Sequence, residues 1–177
     1  MEVRMKKLII PAAALAVIAF AAAAASQSFT YIGASKCALC HKTEKQGQQF
    51  PKWDASKHSK SFAALSSPQA AQAATAMGVA KPAEDPKCLK CHAPLADKAP
   101  ELKAEGVTCE VCHGPGSAYK TLTLMKNQAE AAKNGLLVYP NAEAVKAQCL
   151  KCHENAHGKA FDFAAAVEKI KHPVPKA

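Results

Sequence analysis

The sequence predicts a mostly α-helical fold, in which short helices and loops enclose a bound group in addition to the chain's own side chains. Three observations lead to this prediction. No stretch of the chain alternates polar and apolar residues as a half-buried strand does. Large core-forming side chains are scarce, with six Phe, three Tyr and one Trp among 177 residues. A five-residue pattern of two cysteines and a histidine occurs four times. A chain with so little apolar mass needs another group to complete its interior.

Residues 1–25 have the layout of a secretory signal peptide. Basic residues precede an alanine-rich apolar run over residues 8–25, and the small residues at its end suit cleavage after Ala25. An uncleaved anchor is the alternative, because the run is about as long as a bilayer span. Pro11 interrupts the run and alanine contributes little transfer free energy, so we expect cleavage. The prediction is an exported, periplasmic or outer-surface protein without stable membrane insertion.

Residues 26–177 are expected to form one domain. The four motifs begin at intervals of 51, 21 and 40 residues, which is too irregular for a tandem solenoid. Apolar spacing, alanine content and capping residues indicate helices over residues 43–61, 69–77, 127–134, 141–148 and 161–170. Prolines predict a loop over 81–86, and glycines predict a tight turn over 114–116.

All eight cysteines belong to the pattern C-x-x-C-H, the attachment signature of c-type haem. The four copies comprise Cys37, Cys40 and His41; Cys88, Cys91 and His92; Cys109, Cys112 and His113; and Cys149, Cys152 and His153. Two thiols three positions apart lie on one side of a helical turn, where both can add to vinyl groups on one porphyrin edge. The next residue then supplies the proximal imidazole to the iron. The pattern predicts four covalent haem c groups.

Three other uses of paired cysteines fit less well. Zinc ribbons do not require a histidine after every pair. Thioredoxin-like redox sites use one pair beside a βαβ pattern, which is missing from this sequence. A disulfide framework suits an exported chain but does not explain four histidines in register.

The net charge of +9 does not indicate a nucleic-acid partner. The lysines are scattered rather than clustered, and exported proteins seldom meet nucleic acid. Removing residues 1–25 leaves 20 basic and 13 acidic residues, a net charge of +7. Four haems bring roughly eight propionate charges, so the loaded protein is expected to be nearly neutral.

The histidines are too few to supply two axial ligands to each of four irons. The chain has seven, and four of them are proximal in the motifs. His58, His157 and His172 remain as distal candidates. At least one iron must therefore be open, take methionine or water, or borrow a ligand from a neighbouring molecule.

Each remaining donor has a structural alternative. His58 follows Trp53 on the predicted helix 43–61 and is expected to be a ligand rather than a solvated residue. His172 follows the helix 161–170 and is expected to be a ligand rather than a helix cap. His157 cannot reach the far face of its own motif's haem, so it serves another haem or faces solvent. Met125 is better placed than Met77, and methionine ligation raises haem potential, although methionine more often fills a core.

Four segments together resemble the tetrahaem cytochrome c-554 family: "GASKCALCHK…KWDASKHSKSFAAL", "DPKCLKCH", "GVTCEVCHGPGSAY" and "CLKCHENAHGKAFDF…IKHPVP". The resemblance covers nearly all of the chain after the signal peptide. It implies periplasmic electron carriers with a mostly helical fold around four haems stacked in close pairs. It also implies distal roles for His58 and His172 and an uncovered iron face at the haem on His92.

One departure from the family concerns the first haem. In the family, a histidine after the Gly-Pro-Gly turn ligates that haem, whereas residues 117–125 read SAYKTLTLM here. The resemblance therefore leaves the haem on His41 in need of another sixth ligand, with Met125 and His157 as candidates.

The leading functional prediction is an electron-transfer protein, not an enzyme, that serves redox partner proteins such as other cytochromes or a quinol oxidoreductase. No acid–base pair or substrate pocket is evident in the sequence. Two alternatives stay open. One is a redox enzyme acting on a small nitrogen oxide at an open iron. The other is a subunit of an extracellular cytochrome filament, in which a neighbour completes the ligation.

Overall fold

The computed structural model describes residues 28–173, and every structural statement below concerns that part of the chain. The predicted signal peptide lies outside it. Helices are the regular structure of residues 28–173, which contain no strand. The α-helices are α1 Ala34–His41, α2 Gln49–Asp54, α3 Pro68–Ala76, α4 Pro86–His92, α5 Cys109–His113, α6 Leu122–Met125, α7 Gln128–Lys133, α8 Ala142–His153 and α9 Phe163–Ile170. Single 3₁₀ segments span Glu44–Gln46, Ala63–Ser66, Pro100–Glu105 and Ala156–Gly158. The mostly α-helical prediction is confirmed.

All four C-x-x-C-H motifs lie at the carboxyl ends of helices. Helices α1, α4, α5 and α8 each end at the motif histidine. Both thiols of a motif thus sit on the last turn, with the imidazole at the helix end, as expected from their spacing. The same local geometry is built four times.

Side-chain caps explain where several of these short helices begin. Ser67, Asp85, Asn127, Asn141 and Asp162 each accept a hydrogen bond from a backbone amide of the first turn. Such caps satisfy amides that have no partner within the helix. Helices of 4 to 12 residues are marginal on their own in water, so packing must hold them.

The predicted helix 43–61 is wrong. The chain forms only Glu44–Gln46 and α2 there, because Gly47 and Gln48 take left-handed conformations with φ of 94° and 52°. Consecutive left-handed residues cannot continue a right-handed helix. After α2 the chain runs through turns, so His58 lies in a turn rather than on a helix.

The other predicted helices are confirmed with shifted ends. Helix 141–148 is longer than predicted, since α8 continues through the fourth motif to His153. Helices 69–77, 127–134 and 161–170 correspond to α3, α7 and α9.

The protein's own core is small. Nine apolar residues of the described part are buried, and five of them are alanine; the larger ones are Leu65, Val79, Leu95 and Tyr119. Leu39, inside the first motif, is 80% exposed. No helix within residues 28–173 is long and apolar enough to cross a membrane.

Candidate functional site

Six of the seven histidines face each other in three pairs. The ring centroids of His58 and His153 are 6.1 Å apart, those of His92 and His157 are 6.2 Å apart, and those of His113 and His172 are 5.9 Å apart. Each pair joins one motif histidine to one histidine outside the motifs. The structure therefore brings together residues that lie from 59 to 95 positions apart in the sequence.

The separation within each pair matches two imidazoles on opposite sides of one metal ion. An imidazole nitrogen binds a metal at about 2.0 Å, and the ring centroid lies about 1.1 Å behind it, so two flanking rings have centroids about 6 Å apart. All three pairs fall within about 0.3 Å of that value. Direct stacking of two rings would not leave this uniform gap. The donor set thus fits haem iron with a proximal and a distal histidine.

The first pair, His58 and His153, is held by the turn after α2. The backbone carbonyl of His58 accepts hydrogen bonds from Val107 N at 3.0 Å and Ser61 Oγ at 2.7 Å. Burial and the nearby His153 lower the pKa of His58, which keeps its imidazole neutral and its lone pair available. Phe161 stacks on the His153 ring with centroids 4.7 Å apart, so the ring has a fixed orientation.

The second pair, His92 and His157, depends on an unusual backbone. Asn155 and His157 have φ of 51° and 55°, a left-handed conformation that few non-glycine residues adopt. Such positions cost on the order of 1–3 kcal/mol and concentrate at functional sites. Opposite this turn, Nδ1 of His92 lies 2.8 Å from the Ser61 carbonyl oxygen, which fixes the ring from behind.

The third pair, His113 and His172, is the most deeply enclosed on its motif side. Burial, with smaller contributions from His172 and His41, lowers the pKa of His113 to about 4. Partial desolvation lowers the pKa of His172 as well. The chain beyond His172 is tied to α2, because Gln49 Nε2 donates to the Pro173 carbonyl oxygen at 2.8 Å. Both imidazoles are therefore neutral at pH 7, the form that binds a metal ion.

His41 is the one histidine that forms no facing pair. It lies near the third pair, since it contributes to the lowered pKa values of His113 and His172. Its Nδ1 is buried and has no hydrogen-bond partner within residues 28–173. Metal-binding histidines almost always donate a hydrogen bond from the N–H of this second nitrogen, as His92 does to the Ser61 carbonyl oxygen. His41 therefore differs from His92 in two ways: no second imidazole faces its ring, and no acceptor lies near its Nδ1 in the described part of the chain.

The motifs meet through their cysteines in an order that differs from the sequence. None of the eight cysteines forms a disulfide in the described part. Helix α1 packs against α5 and α4 packs against α8. Cys37 thus lies beside Cys109, which places motifs one and three together, and Cys91 lies beside Cys152, which places motifs two and four together. Burial, with Cys91 nearby, raises the pKa of Cys152 to about 11.

Motif three also lies beside motif four. Gln148 Nε2, on α8, donates to the Val111 carbonyl oxygen of α5 at 2.8 Å. After burial, the nearby Cys149 is the second cause that raises the pKa of Cys112. The neighbours thus follow the order one, three, four, two.

Two carboxylates that the sequence analysis missed, one buried and one half-buried, hold the amino end of α1. Glu110, 2% exposed, accepts hydrogen bonds from the amides of Ile32, Gly33 and Gly116 at 2.7–3.0 Å. Glu105 accepts from Ala34 N at 2.9 Å. Since Glu110 lies between the cysteines of motif three, it clamps motif one against motif three. No sequence signal marks this role, because its partners are backbone amides.

The remaining candidates stay predictions. Met125 ends α6 with 41% of its surface exposed. The family resemblance implies an uncovered iron face at the haem on His92. In the structure, however, His157 faces His92. The histidine without a facing partner is His41.

Comparison with known proteins adds two findings. The sequence profile of a family described as cytochrome c554 and c-prime matches residues 36–114, which contain the first three motifs. Cytochrome c-554 of Nitrosomonas europaea is 28% identical over an alignment of 152 residues, and the match covers 76% of this chain. The chain spans 62% of the length of that curated relative. No solved structure matches the chain.

Proposed function

We propose that this chain, which is similar to cytochrome c-554 and matches the family described as cytochrome c554 and c-prime over residues 36–114, is an exported, periplasmic electron carrier with four covalently bound haem c groups. The cysteine pairs of the four motifs would hold the porphyrins, and His41, His92, His113 and His153 would supply the proximal imidazoles. His58, His157 and His172 would supply distal imidazoles to the fourth, second and third irons. When bound, each haem supplies a one-electron iron couple.

The observation that carries this proposal is the set of three histidine pairs. Their centroid separations, from 5.9 to 6.2 Å, agree although the six rings come from different turns and helix ends. Histidines with unrelated structural roles have no reason to share one spacing. Two neutral imidazoles per iron favour low-spin iron that changes oxidation state with little rearrangement, which suits electron transfer.

The contacts between motifs support a path for electrons. The thiol contacts and the α5–α8 hydrogen bond set the order one, three, four, two. Motifs one and two are the ends of this order and are the proposed entry and exit points. Leu39 and Cys40 of motif one are exposed, so a redox partner protein can approach that end. Another cytochrome or a quinol oxidoreductase is the expected class of partner.

The pairing also bears on the filament alternative. All three histidines outside the motifs face a motif histidine of the same chain. A neighbouring molecule would therefore have only the first motif to complete. This favours a carrier over a polymer in which ligation is shared at several sites.

Mass spectrometry and potentiometry of protein matured in a host with a cytochrome c assembly system test the proposal. We expect a mass increase corresponding to about four haems per chain and a reduction that spans several potentials. A matured protein that carries no tetrapyrrole, or haems that neither accept nor release electrons reversibly, would overturn the proposal.

A further inference from the structure

We propose that the iron of the first motif is a binding site for small neutral diatomic ligands, such as carbon monoxide and nitric oxide. This inference rests on the proposed function, because it requires a haem on Cys37, Cys40 and His41. It goes beyond electron transfer, since a six-coordinate iron held by two imidazoles does not bind such ligands readily. It also departs from what the family resemblance implies, which is an uncovered face at the second motif.

All histidines other than His41 belong to facing pairs. The chain has seven histidines, and all of them lie within the described residues. Three facing pairs occupy six of them, and each pair contains a different motif histidine. His41 is left without a facing imidazole. Its iron is therefore the one whose sixth position these histidines do not fill.

A strained turn presents His157 to the second motif. This residue could have served either of two motifs, and the left-handed backbone at Asn155 and His157 directs its ring to His92. Strain of this kind persists only where the surrounding structure imposes it. His157 therefore faces the histidine of the second motif and not that of the first.

The proximal rings of the first two motifs also differ in the hydrogen bond to their second nitrogen. Nδ1 of His92 lies 2.8 Å from the Ser61 carbonyl oxygen, whereas Nδ1 of His41 is buried without an acceptor in the described part of the chain. An imidazole that donates its second N–H is a more basic ligand. His41 is therefore a weaker donor than His92, and its iron is expected to have a higher reduction potential than the second iron. A reduced iron with a free position is the form that carbon monoxide and nitric oxide bind.

The first motif is accessible from solvent. Leu39 and Cys40 are exposed, so the edge of the first motif lies at the protein surface. By contrast, the third motif holds the buried Glu110 between its two cysteines, with only 2% of that residue exposed. A small molecule can reach the first motif without opening the helices around the third.

The test is a carbon monoxide titration of the fully reduced holoprotein. We expect about one molecule bound per chain, which is about one for every four haems. Removal of the first attachment site by Cys37→Ala with Cys40→Ala should eliminate one haem and all of the binding. The matched control, Cys88→Ala with Cys91→Ala, should eliminate one haem and leave the binding intact. Binding that survives loss of the first haem would overturn the proposal.

A second variant does not depend on maturation of the cysteine mutants. His157→Ala should raise the stoichiometry from about one to about two, because it frees the second iron in addition to the first. If the uncovered iron were instead the second one, this variant would leave the stoichiometry at about one and contradict the proposal. Met125→Leu, compared with Met77→Leu, examines the remaining ligand candidate. Binding that appears only after the Met125 change would show a methionine on the first iron and overturn the inference.

These outcomes separate the inference from the proposed function. A protein that carries four haems and cycles reversibly but binds no carbon monoxide retains the electron-carrier proposal and loses the ligand site. A protein without haem loses both.

Discussion

The first and second motifs have the same five-residue pattern, yet the chain treats their histidines differently. His92 faces His157 across 6.2 Å and is supported from behind by the Ser61 carbonyl oxygen. His41 faces no other histidine, and its Nδ1 has no partner among the described residues. Attachment is therefore encoded locally, by spacing on one helical turn. Coordination is encoded by residues far along the chain, and the two can vary independently.

The largest expected effect comes from making the second motif resemble the first. In His157→Ala, the second iron loses its distal imidazole, so one low-spin component of the oxidised protein should become high-spin. The potential of that centre should rise, because a nitrogen donor to the ferric iron is lost. Electron paramagnetic resonance and potentiometry measure both effects. Lys159→Ala, an exposed change next to the same turn, is the control and should alter neither; a variant that stays fully low-spin would refute the pairing.

The second prediction concerns Glu110, which clamps the first motif against the third. Glu110→Gln removes a carboxylate that accepts from three backbone amides, and leaves at least one of them unsatisfied. We expect a loss of about 2–3 kcal/mol in the free energy of unfolding, measured on the holoprotein. Hydrogen exchange should increase in α1 more than in α4. The exposed Glu101→Gln is the control, and equal exchange in both helices would contradict the assigned role.

The third prediction affects the second motif and spares the first. The Ser61 hydroxyl lies 2.8 Å from the His92 carbonyl oxygen and 2.7 Å from that of His58, and it accepts from Val107 N. Ser61→Ala should cost about 1 kcal/mol of stability, the net contribution of a typical part-buried hydrogen bond. Thermal unfolding measures this, with Ser66→Ala, at an exposed serine, as the control. An unchanged unfolding midpoint would mean that the hydroxyl does not support the second motif.

The smallest expected effect concerns the turn before His157. Asn155 has a left-handed backbone with φ of 51°, a conformation that alanine disfavours more than asparagine does. Asn155→Ala should therefore lower the free energy of unfolding by roughly 0.5–1 kcal/mol. Asn155→Gly, which tolerates that backbone, should match the native protein or exceed it slightly. The difference should appear as faster exchange of the distal ligand at the second iron only. Equal behaviour of the two variants would show that the turn stores no strain.

The sequence predicted those features that depend on short-range patterns. The four motifs, their positions on helical turns, the capped starts of α7 and α8 and the site of α9 all follow from residues close to one another. The ligand count from seven histidines also anticipated that at least one iron lacks a histidine partner.

What the sequence could not predict depends on long-range geometry. The partner of His157 is decided by a left-handed turn and by the placement of α4, 65 residues earlier in the chain. The role of Glu110 depends on backbone amides that any residue could supply. The helix predicted over 43–61 was wrong because apolar spacing did not reveal the left-handed conformation at Gln48.

Quantitative electron paramagnetic resonance of the oxidised native protein tests most directly whether its histidines divide into three pairs and one single residue. We expect about three low-spin irons and about one high-spin iron per chain, with the high-spin signal lost in the Cys37→Ala, Cys40→Ala variant. Four low-spin irons, or a high-spin signal that persists without the first haem, would contradict this division.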